Sequence, residues 1–207
     1  MAQVSIIENA SAGKIASWIA RYLGDVMAAR RGPVAITVPG GSTPFPVFEL
    51  LTNCDLDFAR LTIWPGDDRI VPEDHPASNT GRIRALFEPV GARVVTLTEE
   101  AQVPRFTLAW LGMGADGHIA SLFSNADPQV DDSQSIRRLT PDPLPPEAPF
   151  DRITLTLPSL LASDTIIVTL GDSAEKRAVF DAAAAGNSDL SIARLLTAAT
   201  QPVICFA

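Results

Sequence analysis

Apolar residues recur along this chain in short blocks of two kinds, and the two kinds alternate. Across residues 14–30 they fall at Ile15, Trp18, Ile19, Tyr22, Leu23, Val26 and Met27. That is the spacing of a helix with one buried face, and Gly32-Pro33 ends it. Residues 34–38 are a compact apolar run, which predicts a strand buried on both faces. The alternation continues with a helix over 45–51 and a strand over 61–64. Ser78 then caps a helix carrying Ile83, Leu86 and Phe87. Strands follow over 93–97, 106–111 and 135–140. Residues 152–157 alternate polar and apolar as a strand does, and 165–170 read as a further buried strand. Helices over 174–185 and 190–198 and a strand over 203–206 close the chain.

Strands alternating with helices predict a three-layer αβα fold, a mostly parallel Rossmann-like sheet with helices on both faces. There is no internal repeat and no composition break, so residues 1–207 read as one domain. Only eight residues separate 93–97 from 106–111. A parallel crossover needs about a dozen or more, so these two strands are not parallel neighbours or one is very short. Five prolines within residues 141–149 predict an extended connector.

Composition narrows the class. The chain has 207 residues, 46% of them hydrophobic, enough for a real core. Its net charge of −8 argues against a nucleic-acid module, which needs a basic face. A few focused cations still suffice for an anionic ligand. Cys54 and Cys205 lie far apart in apolar settings and read as buried free thiols of a reducing compartment rather than a disulfide or metal pair. No window resembles a membrane span and no signal segment opens the chain. The expectation is a soluble cytoplasmic protein, a monomer or small homo-oligomer, with no membrane or nucleic-acid partner.

Chemistry concentrates where strands meet glycine. After the strand at 106–111 comes Gly112-Met113-Gly114-Ala115-Asp116-Gly117-His118, followed by a segment with helical spacing. A strand, glycine turn and helix present loop groups at the carboxyl end of a sheet, where open α/β sheets bind ligands. The run matches G-x-G-x-x-G, but it lies mid-chain, and Asp116 would repel a pyrophosphate, so a dinucleotide site is disfavoured. His118 reads either as a satisfied core histidine or as a general base with Asp116 orienting its ring. Gly40-Gly41-Ser42-Thr43 after the strand at 34–38 reads equally as a phosphate cradle or a structural turn. Ser42 or Thr43 is placed to cap the helix that follows.

Asp67-Asp68-Arg69, with His75 and Asn79 downstream, reads as a sugar-hydroxyl site or a solvated loop. No second histidine stands at ligand spacing, so no metal site is expected. Arg152 and Lys176 are single cations that matter only if the fold carries them to the Gly40–Thr43 loop.

Four ordered stretches carry a resemblance. They are Gly40-Gly41-Ser42-Thr43-Pro44; Asp67-Asp68-Arg69-Ile70-Val71-Pro72 with His75 and Ser78-Asn79; residues 111–123 around His118; and Arg152-Ile153-Thr154-Leu155-Thr156 followed by Gly171 and Lys176. Over about residues 34–180 the chain resembles the 6-phosphogluconolactonase family, in the superfamily that also holds glucosamine-6-phosphate deaminase. The resemblance implies hydrolysis of 6-phospho-D-glucono-1,5-lactone to 6-phosphogluconate without metal or organic cofactor. It implies His118 as base for the attacking water, Asp116 as its partner, and Asp67 as an acidic position used by the deaminase branch. It implies a phosphate on Gly40, Gly41, Ser42 and Thr43, helped by Arg69, Arg152 and Lys176, with Asp68, His75 and Asn79 nearby.

The chain departs from the family pattern at Asp68 (usually Glu), Ile119 (usually Thr) and Ser124 (usually Pro), and the stretch from Gly171 to Lys176 is longer. The family's helix between Leu97 and Phe106 is absent from the pattern. An amino-sugar phosphate deaminase or isomerase on the same fold, and a non-catalytic sugar-phosphate-binding protein, are the alternatives.

Overall fold

The computed structural model describes residues 3–146 and 148–207. Its first five strands are β1 (Val4–Ile7), β2 (Val34–Val38), β3 (Leu61–Pro65), β4 (Asp67–Arg69) and β5 (Arg93–Val94). The later five are β6 (Phe106–Gly112), β7 (Ile136–Leu139), β8 (Arg152–Leu155), β9 (Ser163–Thr169) and β10 (Val203–Phe206). The helices are α1 (Ala12–Ala29), α2 (Phe45–Leu51), α3 (Asn79–Phe87), α4 (Leu157–Leu161), α5 (Ala174–Ala184) and α6 (Ser191–Ala198).

Seven strands form one wholly parallel sheet in the order β1-β10-β9-β6-β2-β3-β5. The expected three-layer fold follows from how its strands divide their side chains. Val34, Ile36 and Val38 of β2 pack with Ile19 and Leu23 of α1, Phe48 of α2 and Ile83 and Phe87 of α3. Ala109 and Leu111 of β6 and Ile166 and Val168 of β9 pack on the opposite face with α4, α5 and α6. Trp110, fully buried, anchors the first face, its ring edge-on to Phe48 at 5.0 Å. Truncating such a ring, as in Phe48→Ala, costs about 3–5 kcal/mol.

The two closely spaced strands are now explained. β5 is only two residues long and lies at the sheet edge, separated from β6 by β3 and β2. Residues 95–105 contain no helix, in keeping with the missing element. A second sheet, β4-β8-β7, is antiparallel and pairs Asp67 with Thr154 and Arg69 with Arg152. The polar composition of Asp67-Asp68-Arg69 reads locally as a loop, and only pairing with β8 makes it a strand. β1 and α4 also lie outside the sequence expectation.

Three local expectations are corrected. The segment after Gly117 is not a helix: Ile119 bridges to Met113 and to Leu122, and Ala120 has a left-handed backbone, φ 49°. Ile119, Leu122 and Phe123 carry the i, i+3, i+4 spacing of a helix, but Ile119 and Leu122 are buried from a tight turn instead. Neither Ser42 nor Thr43 caps α2 with its side chain, because the capping position falls on Pro44. Cys205 is buried, but Cys54 is partly exposed. No helix among the described residues is long and apolar enough to cross a membrane.

Candidate active site

The chain leaves β2 for α2 on one face and β9 for α5 on the other, with β6 between them. Such a reversal opens a crevice at the carboxyl ends of parallel strands. Here it is a cavity of about 310 Å³. Its walls come from Pro39–Pro44 after β2, Gly66, Asp67 and Arg69 after β3, Trp110–Gly114 and His118 at the end of β6, Thr169 of β9 and Lys176 of α5. That volume is at the small end of the usual 300–1,000 Å³ range for small-molecule sites, roughly.

At one wall the Asp116 carboxylate lies 2.6 Å from Nδ1 of His118. An ionised carboxylate only accepts, so the contact favours the tautomer with its proton on Nδ1. Nε2 is then left with its lone pair. The turn that makes this pair is built by Gly114, whose N–H donates to the His118 carbonyl at 2.9 Å. A Cβ at Gly114 would overlap both the imidazole and the Asp116 carboxylate. Phe123 leans on the imidazole at 4.8 Å between centroids. The pair is not deeply buried: the His118 side chain is 31% and that of Asp116 63% exposed. Asp116 acts by orienting the ring more than by a strong ion pair.

At a second wall Asp67 accepts a short hydrogen bond from the Ser121 hydroxyl. Burial pushes its carboxyl above the usual carboxylate range, while Ser121, Arg69 and His118 pull it back and Asp68 adds to the rise. Ser121 is itself fixed, its N–H donating to Thr154 Oγ1 of β8 at 3.2 Å.

The Gly40–Thr43 loop forms the third wall. Gly40 lies against the Asn79 side-chain amide, where a Cβ would overlap it. Asn79 is a hub: its Oδ1 accepts from Arg69 at 2.8 Å and from the Gly41 N–H at 3.4 Å, and its Nδ2 donates to the Asp67 carbonyl at 3.0 Å. Lys176, in the first turn of α5, also lines the cavity.

The fold thus brings together Gly40, Gly41, Ser42, Thr43, Asp67, Arg69, Asn79, His118 and Lys176. The other four candidates sit elsewhere. Asp116 stands behind His118. Asp68 is buried under α3 and accepts from the Asn79 and Thr80 N–H groups at 2.6 and 2.9 Å and from the Ser78 hydroxyl. It is therefore the helix's N-terminal anion. His75 is exposed, its Nδ1 accepting from Ala77 and its ring edge-on to Phe150. Arg152 is buried with its guanidinium donating to the Phe150 and Ala148 carbonyls, and it does not line the cavity.

Sequence reasoning missed Ser121, Thr169 and Trp110, whose indole N–H donates to Thr169 at 3.1 Å. Ser121 had a signal, its place three residues after His118. Thr169 had none beyond ending a buried strand. No group of three or more His, Cys, Asp or Glu side chains among the described residues is placed to hold a metal ion.

The parallel α/β sheet thus carries, at its carboxyl edge, a polar crevice lined by two cations, Arg69 and Lys176, and an oriented imidazole. The chain belongs to the glucosamine-6-phosphate isomerase/6-phosphogluconolactonase family, whose pattern matches residues 8–100 and 90–204. It is 34% identical over 210 residues to a 6-phosphogluconolactonase of Pseudomonas putida, spanning 90% of this chain and 86% of that one. A 6-phosphogluconolactonase of Mesorhizobium japonicum is 32% identical, with 95% of this chain and 89% of the other covered. Among solved structures, a 6-phosphogluconolactonase from Shewanella baltica superimposes with a TM-score of 0.80 at 26% identity, covering 100% of this chain and 97% of that one.

Proposed function

We propose that this protein hydrolyses 6-phospho-D-glucono-1,5-lactone to 6-phospho-D-gluconate, a step of the pentose phosphate pathway. The observation that carries the reading is His118, held by Asp116 through Nδ1, in a cavity that the Gly40–Thr43 loop and Lys176 also line. The named relatives are lactonases, which supports this branch of the family over the deaminases.

The phosphate rests on the loop, near Lys176 and Arg69, and fixes the ring so that its carbonyl carbon meets a water beside His118. Nε2 takes a proton from that water as its oxygen bonds to the carbonyl carbon. The resulting tetrahedral intermediate collapses with cleavage of the bond to the ring oxygen. The proton passes to that oxygen, which becomes the 5-hydroxyl, and the new carboxylic acid ionises. A lactone carbonyl is already reactive, so positioning and one base supply the acceleration.

Acid release from fresh 6-phosphogluconolactone, above the spontaneous blank, tests this. The wild type accelerates release, and His118→Ala loses about 10²–10⁴-fold, the worth of a general base. A wild type that matches the blank overturns the reading, and turnover of glucosamine 6-phosphate in its place assigns the deaminase branch.

A further inference from the structure

One arginine behind the cavity's Gly40–Thr43 wall has no role in the site described so far. Arg82 lies on α3, one helical turn after Asn79, so both side chains leave the same face. Its neighbour Arg84 is held between Glu73 and Glu88. Arg82 forms no ion pair among the described residues. Instead its guanidinium carbon sits 3.7 Å from the centroid of the Phe45 ring, and Nη1 donates to the Gly41 carbonyl at 3.3 Å. Gly41 is therefore gripped on both amide groups by α3: its N–H by Asn79 and its C=O by Arg82.

A trans peptide is planar, and its C=O and N–H point in opposite directions. Holding the Gly41 carbonyl toward Arg82 turns the N–H of the next residue, Ser42, away from Arg82. Ser42 lines the cavity and Arg82 does not. The stacking on Phe45 fixes the plane of the guanidinium and so the direction of that pull.

We propose that Arg82 is a positioning residue: it sets the Gly41–Ser42 peptide so that the Ser42 N–H meets the phosphoryl group, and thereby sets the preference for phosphorylated over unphosphorylated lactones. This rests on the lactonase reading given above. Arg82 touches the loop rather than the reacting atoms, so its effect belongs in substrate binding.

The test compares wild type, Arg82→Met and Arg82→Lys. Methionine keeps an unbranched stem on the Phe45 ring while removing the donor. Lysine keeps a charged donor. Each variant is assayed on 6-phosphogluconolactone and on unphosphorylated glucono-1,5-lactone, and its affinity for inorganic phosphate is measured by calorimetry. For Arg82→Met the expected result is a KM about tenfold higher on the phosphorylated substrate, the worth of one charge-assisted hydrogen bond. Its kcat stays within about twofold, the signature of lost uniform binding. Phosphate affinity falls in parallel, the unphosphorylated lactone shows no such rise, and Arg82→Lys recovers most of the loss.

An unchanged KM and phosphate affinity in folded Arg82→Met overturns the proposal. So does a fall in kcat at constant KM, or an equal loss on both lactones. A wild type with no lactonase activity refutes the lactonase reading alone, because the phosphate titration still measures what Arg82 does to the loop.

Discussion

The Asp116 carboxylate and His118 Nδ1 are 2.6 Å apart, two residues apart in sequence, and joined across a turn where a side chain at position 114 would overlap both groups. Asp116→Asn leaves the shape of this contact but replaces an acceptor-only partner with one that also donates, so the imidazole no longer has a fixed tautomer. A buried triad aspartate is worth about 10⁴ in kcat. Asp116 is largely exposed, and water partly replaces it. The expected loss is about 10–100-fold in kcat with little change in KM, as for an interaction made in the transition state. Steady-state kinetics check it.

Gly114→Ala places a methyl group where the imidazole and carboxylate now sit. The pair must move, since the alternative is displacement of the β6 backbone. Overpacking of this kind costs about 1–3 kcal/mol. The outcome expected is a folded protein with a modestly lower Tm and kcat reduced at least about tenfold, because an imidazole shifted by about 1 Å loses its near-attack geometry. Thermal melts and kinetics on one preparation separate the two effects.

Asp67 carries a stability cost with a definite sign. Its folded pKa is raised, mainly by burial, above the ordinary value of 3.8. Between those values the folded protein holds a proton that the unfolded chain has released, so stability falls as pH rises through the window. Above it the ionised carboxylate remains a burden. Asp67→Asn is therefore expected to melt higher than wild type at neutral pH, with the gap closing as pH falls toward 3.8. It is also expected to be less active, the usual trade at a functional site. Melts across a pH series give the answer.

Asp68 holds backbone donors together. It is buried and accepts from the backbone N–H groups of Arg69, Asn79 and Thr80 and from the Ser78 hydroxyl. Asp68→Ala leaves these donors buried and unpaired, at a cost of about 2–4 kcal/mol. Since α3 carries both Asn79 and Arg82, KM for the phosphorylated lactone rises as well. Denaturant unfolding and kinetics measure the two losses, and a variant that loses neither contradicts the capping role.

The pattern of apolar residues determined most of the architecture. Residues such as Ile15, Ile19 and Leu23, or Val34, Ile36 and Val38, bury the same faces whatever surrounds them, because helix and strand periods are local properties. The glycine turns were legible for the same reason. Gly40 and Gly114 stand where a side chain does not fit, and a strand that breaks into glycine is visible without a fold.

Tertiary structure decided what depends on partners distant in sequence. Asp67-Asp68-Arg69 became a strand because β8 pairs with it some 85 residues later. The Ile119–Phe123 segment lost its helix because Ile119 and Leu122 are buried through a turn, and that turn aims Ser121 at Asp67. Among the cations, sequence offered Arg69, Arg152 and Lys176 alike. Folding took Arg69 and Lys176 to the cavity wall, turned Arg152 onto the Phe150 and Ala148 carbonyls, and brought Arg82 to the Gly41 carbonyl. Arg82 finds its acceptor on Gly41, 41 residues away, so its place is set by the packed chain rather than by its neighbours in sequence.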